Sequence, residues 1–220
     1  MTATSPDILS PEADLALAWS PPKVRAALSI AFQLDRRLAR IVARTSEPML
    51  GQMRLAWWRE ALGQPVTERP QGDAVLDAVG LHWGGREAAL SAMVDAWEIL
   101  VTAETLDADA VAAFGSQRGA FFAALLDDAP PAIAARAAAA GRCWALADAA
   151  ASVSDKNERA LLITAARADQ PATKGRLPPS LRGLAVLEAL ALRSLRRGGR
   201  PLLEGRGASL VALRAAIFLT

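Results

Sequence analysis

The chain has 220 residues, 52% of them hydrophobic, and its 25 basic and 23 acidic side chains leave a net charge of +2. That length suits one domain with enough apolar material for a core. The 22 arginines and 3 lysines alternate with acids and form no continuous basic stripe, which excludes a nucleic-acid partner on this reading. A single cysteine, Cys143, excludes an internal disulfide and points to a reducing compartment. The acidic start (Asp7, Glu12, Asp14) does not read as a signal peptide, and no apolar run approaches the ~18 residues of a membrane span. The expectation is a cytoplasmic protein, or one held peripherally at the inner face of the membrane. The joint excess of arginine and alanine reads as the mark of a GC-rich genome.

Apolar residues recur at intervals of three and four almost throughout, which predicts helices. Residues 1–10 read as a flexible leader. Ser10-Pro11-Glu12 opens a short helix to Leu17, closed before Pro21-Pro22, and a long helix runs from Lys23 to Arg44 with Val24, Leu28, Phe32, Leu38 and Ile41 near one face. Ser46 is the expected N-cap of the next helix, which carries "SEPMLGQMRLAWWREAL". Residues 63–72 are a loop by their proline and glycine content. Helices are then expected at Asp73–Gly80, Arg86–Ala103 and Asp107–Leu126, with "DDAPP" at 127–131 turning into an alanine-rich helix that reaches Ser152. Further helices fall near 155–168, 179–197 and 208–219. No internal repeat is visible, and residues 11–220 are expected to form one all-α bundle.

Few residues offer chemistry directly. His82 is the only histidine and has no cysteine or second histidine at metal-ligand spacing, so it is expected to line a turn. Cys143, beside Trp144 in an alanine-rich segment, reads as a buried, inert thiol. The pairs Asp73/Asp77, Asp107/Asp109 and Asp127/Asp128 could be metal ligands by spacing, but each lies at a helix end, where aspartate caps backbone N–H groups. In the quoted helix, Leu50, Arg54 and Trp58 align, as do Met49, Met53 and Trp57. Both stripes read as one broad apolar face, with the Arg54 stem buried on it and Arg59 and Glu60 nearer solvent.

The run "VRAALSIAFQLDRRLARIV…SEPMLGQMRLAWWREAL" resembles the N-terminal half of squalene/phytoene synthase-like proteins. It is most similar to their branch related to mitochondrial complex I assembly factors, which carry a like "SEPMLG-x-x-RL-x-WWR" block. "GRCWALADAAASVSD" and "KGRLPPSLRGLAVL" follow in the order of that family's second core motif and its "GR-x-x-LP" turn, so the resemblance spans about residues 22–200. It implies an isoprenoid synthase-like helical bundle around a central cavity. Active members hold magnesium between two aspartate-rich motifs, so that a leaving diphosphate is neutralised. In the first motif's place this chain has Asp35 alone, followed by Arg36, Arg37 and Arg40, and an arginine partner is expected for it. In the second, the motif's asparagine falls on Asp148 and its two aspartates on Ser152 and Lys156.

The resemblance therefore implies a non-catalytic binding or assembly protein without a cofactor, linked to respiratory complex I biogenesis. An isoprenoid or lipid ligand and a membrane-protein assembly partner are its expected partners. The alternative is an active or repurposed prenyl-diphosphate transferase of isoprenoid or carotenoid biosynthesis, which would need magnesium or direct arginine clamping of the diphosphate. In that version Arg37, Arg40 and Arg54 hold the diphosphate, and Trp58 and Trp144 line a slot for the prenyl chain. A plain helical scaffold is the third option. The vestigial pocket expected on the resemblance comprises Asp35, Arg37, Arg40, Arg54, Trp58, Trp144 and Asp148.

Overall fold

A computed structural model of the protein describes residues 8–45, 47–103, 105–168 and 175–219. Most of the expected leader, and the Ser46 cap, lie outside the described residues. Helix α1 (Pro11–Trp19) starts under the Ser10 hydroxyl, which accepts from the Ala13 N–H. Pro21 and Pro22 then set the entry to α2 (Pro22–Arg44), whose regular apolar spacing buries Val24, Leu28, Phe32, Leu34 and Leu38 along one side. Helix α3 (Pro48–Gly63) is followed by a 3-10 turn at Val66–Glu68 and by α4 (Ala74–His82).

The Asp73 carboxylate caps α4 by accepting from the N–H groups of Val75 and Leu76, and Asp107 caps α6 (Ala108–Gly119) through Ala110. Both are end caps, as their positions in the sequence suggest. Asp127 lies in the loop before α8 and pairs with Lys23 at 3.1 Å. Helix α5 (Glu87–Thr102) lies between α3 and α6. His82 sits exposed at the end of α4, where its carbonyl accepts from Arg86. The adjacent Trp83 is fully buried and its indole N–H donates to the Ala27 carbonyl, fastening this turn to α2.

The single helix expected over Asp107–Leu126 is broken. After Gly119 the backbone takes several i→i−3 bonds (Ala120 to Gln117, Ala123 to Ala120, Leu125 to Phe122), and a short helix α7 (Phe121–Ala124) follows. The break turns Phe121 and Phe122 together into the core, where they stack at 4.1 Å and meet Phe32 and Trp144 edge-on. Helix α8 (Pro131–Ser152) crosses α6 at two glycines. A Cβ on Gly119 would stand 2.6 Å from the Arg142 backbone nitrogen, so only glycine permits this approach.

Helices α9 (Lys156–Ala168), α10 (Arg182–Arg196) and α11 (Ala208–Phe218) complete the bundle, with α10 packed on α1, α8 and α11. Among the described residues there is no strand, and no helix is long and apolar enough to cross a membrane. Cys143 is buried, as expected, in a second cluster with Phe114 and Leu146.

The quoted tryptophan helix is oriented differently from its sequence reading. Its buried residues are Gly51, Leu55, Trp58, Ala61 and Leu62, which pack on α5 and α2. Met49, Met53 and Trp57 are instead exposed, and so is Arg54, which donates to the Thr45 hydroxyl at 3.3 Å. The Gly51 position decides this: a Cβ there would stand 3.2 Å from Val101 on α5, so the glycine side of α3 is the one pressed inward. Arg59, expected nearer solvent, is half-buried and joins α3 to α5 through Asp95 and Glu98. Those two acids hold its guanidinium pKa above the ordinary value despite partial burial, the Glu98 bond contributing most.

Candidate functional site: an arginine between two facing carboxylates

On α6 the residues Val111, Phe114, Gly115 and Arg118 fall at helical spacing on the buried side. An arginine in that register must either leave the core or find acids inside it. Arg118 finds two. Its Nε donates to Asp35 Oδ1 at 2.9 Å and its Nη2 to Asp35 Oδ2 at 2.7 Å, a bidentate pair with α2. Nη2 also donates to Asp148 Oδ2 on α8 at 2.7 Å, and Nη1 to the Ala145 carbonyl at 3.1 Å. The Trp97 indole on α5 donates to the same Asp35 Oδ1 at 2.8 Å.

The guanidinium lies between two aromatic faces, 4.9 Å from the Trp97 ring centroid and 4.7 Å from that of Trp144. Arg118 is 3% exposed, so burial works against its charge. The charges of Asp35 and Asp148 together outweigh that penalty, and its pKa is raised. The side chain is therefore a permanent cation. The cluster as a whole has one more acid than base.

This triad forms one wall of a cleft of about 500 Å³ bounded by α1, α2, α5, α6 and α8. Phe32, Trp97 and Trp144 supply apolar surface inside it, and Arg36, Arg40 and Arg44 form a ladder along its α2 edge at a spacing of four residues. Glu12 on α1 is the remaining lining charge, giving four arginines against three acids. The volume is within the range of about 300–1,000 Å³ usual for small-molecule sites.

Four of the seven residues singled out from sequence, Asp35, Arg40, Trp144 and Asp148, come together in this cleft. The other three do not. Arg37 turns to the opposite flank of α2, where it pairs with Asp73 and lies 5.7 Å from the ring of Trp58, while Arg54 is on the outer face of α3. The trio Arg37, Arg40 and Arg54 thus forms no joint anion clamp. Residues 37 and 40 stand only about 60° apart around α2, and their partners separate them: Arg37 turns to Asp73 and the Trp58 ring, whereas Arg40 lines the cleft edge.

Asp35 does have an arginine partner, but it is Arg118, 83 positions away, rather than a neighbour on α2. Sequence reading missed Arg118 and Trp97. The signal for Arg118 was its place on the apolar register of α6; nothing local marked Trp97.

A magnesium site of the kind the resemblance implies does not fit this donor set. Both Asp35 oxygens and one Asp148 oxygen already accept charged hydrogen bonds, and a fixed cation occupies the space between the two carboxylates. Among the described residues no group of three or more His, Cys, Asp or Glu side chains gathers at one point.

Comparison with protein-family models finds no match for this chain, and comparisons with curated proteins and with solved structures find none either.

Proposed function

We propose that the chain is a squalene/phytoene synthase-like protein, with that family's isoprenoid synthase-like bundle, that holds a phosphate-headed amphiphile without transferring it. The observation that carries this reading is Arg118 seated between Asp35 and Asp148 on facing helices. Prenyl transfer needs the diphosphate charge to be neutralised by metal held on such carboxylates. Here the acids are engaged by an internal guanidinium. Binding alone remains well served. The aromatic interior accepts an apolar chain, and the ladder Arg36, Arg40 and Arg44 accepts a phosphate at the edge. The surplus negative charge of the triad repels an anionic head from the inner wall, which fixes the ligand head-outward.

The test is a pair of measurements on the purified protein. With geranylgeranyl or farnesyl diphosphate and magnesium, no phytoene or squalene should form; robust product would overturn the non-catalytic reading. Farnesyl diphosphate should nonetheless quench the fluorescence of the cleft tryptophans, with farnesol binding at least tenfold more weakly. Replacing Arg36 and Arg44 together by alanine should remove that difference. A short-chain phosphatidic acid in the same titration separates an isoprenoid ligand from a phospholipid one. The resemblance adds a role in respiratory-complex assembly, which a tagged pull-down returning complex I subunits would support.

A further inference from the structure

Helix α3 buries one side and leaves the other, with some of its largest apolar residues, uncovered. Met49 is 72% exposed, Met53 63%, Leu50 44% and Trp57 41%, and all four lie on the first two and a half turns. In a helix whose opposite side packs tightly on α5, such an arrangement marks a contact surface. Its electrostatic setting is specific. Between Pro48 and Trp57 there is no acid, and Arg54 lies among the four apolar side chains.

Arg54 donates to the hydroxyl of Thr45, the residue that ends α2, so the apolar face is continuous with the C-terminal end of α2. That end carries the arginine ladder. At 100° per residue, Arg40 and Arg44 fall between Asp35, which faces the cleft, and Arg37, which faces α3. Arg44 is exposed and immediately precedes Thr45, the residue that accepts from Arg54, so it is the ladder member next in sequence to that junction. Glu47, at the N-cap of α3, and Glu60, beyond Trp57, are the acids nearest to the apolar face along the chain, and both are exposed.

We propose that this face docks on an anionic lipid bilayer surface. Methionine, leucine and tryptophan would enter the headgroup boundary, and Arg44 and Arg54 would meet lipid phosphates. The charge pattern favours this occupant over a second copy of the chain, because two copies would bring arginines of like charge together. The size of the patch does so too. Four partly exposed side chains fall well short of the roughly 800 Å² per partner of a standard protein interface, whereas shallow insertion into lipid needs no more than a few. Arg44 is shared with the cleft edge, whereas Met49, Met53 and Arg54 lie outside the cleft lining, so their variants report on this face alone.

Co-sedimentation of the full chain with vesicles tests it, using phosphatidylcholine alone and phosphatidylcholine with 30 mol% phosphatidylglycerol. The protein should sediment with the anionic vesicles at least tenfold more strongly than with the neutral ones, and high salt should weaken the binding. Met49→Asp with Met53→Asp, at two strongly exposed positions, should abolish sedimentation with little change in the thermal melt. Arg44→Gln and Arg54→Gln should each lower anionic-vesicle binding about fivefold. Leu213→Asp on α11, where Leu210, Leu213 and Ile217 are also exposed, should leave it unchanged. The proposal fails if the wild-type chain ignores anionic vesicles, or if the α11 variant rather than the α3 variant loses binding. It fails equally if the chain is a dimer in solution that Met53→Asp dissociates, which would assign the face to a second copy.

Discussion

Arg118 and Arg136, two of the buried arginines that pair with acids among the described residues, sit in different settings. Arg136 on α8 meets Glu188 on α10 in a sealed, one-to-one, bidentate pair at 2.9 and 2.6 Å, with its Nε donating to the Gly175 carbonyl. Arg118 serves two acids at once, lies between two tryptophan faces and borders an open cleft. The sealed pair joins helices and offers no approach to a ligand. At Glu188, burial outweighs the attraction of Arg136 and pushes the carboxyl pKa above its ordinary value. The open triad instead raises the pKa of its base. A buried ion pair is thus not by itself a functional signal; what distinguishes Arg118 is the uneven stoichiometry beside accessible space.

Breaking each cluster should separate them. The largest effect is expected for Arg118→Met, which leaves Asp35 buried without a counter-charge and should cost about 3–5 kcal/mol in urea unfolding. Cleft binding of farnesyl diphosphate should be lost with it. Arg136→Met should cost about 3 kcal/mol at neutral pH and leave that binding intact in the folded fraction.

Gly119→Ala comes next, at about 1–3 kcal/mol, because its Cβ has nowhere to go at the α6–α8 crossing. Since Arg118 is its neighbour, this variant should also weaken ligand binding, as read by the same fluorescence titration. Asp148, with 23% of its side chain exposed, is the softest member of the triad, and Asp148→Asn should cost only about 1 kcal/mol.

The smallest effect is in pH dependence. Glu188 binds its proton more tightly folded than unfolded, so its contribution to stability grows as pH falls. That contribution is lost as pH rises from the ordinary value of 4.5 through the folded one. Urea melts across that window should show the slope in the wild type and lack it in Glu188→Gln.

The helices were largely legible, because proline starts, aspartate caps and apolar spacing are local signals that survive folding. Two features were not. The break after Gly119 depends on a crossing with Gly141, 22 positions later, and no local propensity encodes a neighbour's backbone. The exposed face of α3 is not legible from its composition, because large apolar side chains suggest burial and here stand in solvent. The glycine at position 51, rather than the methionines, marked the packed side. At the site, Asp35 and Asp148 can be picked out by their place in the motifs that the sequence resembles, and Trp144 as an aromatic that could line an apolar slot. Arg118 required the weaker observation that an arginine stood on a buried register.

Arg118 also changes what the cleft depends on. A divalent ion held between carboxylates comes and goes with its concentration and with competing chelators. A guanidinium attached to α6 does neither, and it keeps its charge across any physiological pH. The electrostatics of this cleft are therefore set at synthesis and do not follow the cell's metal supply. The melting temperature should therefore be indifferent to EDTA, and on the function proposed above so should the affinity for farnesyl diphosphate.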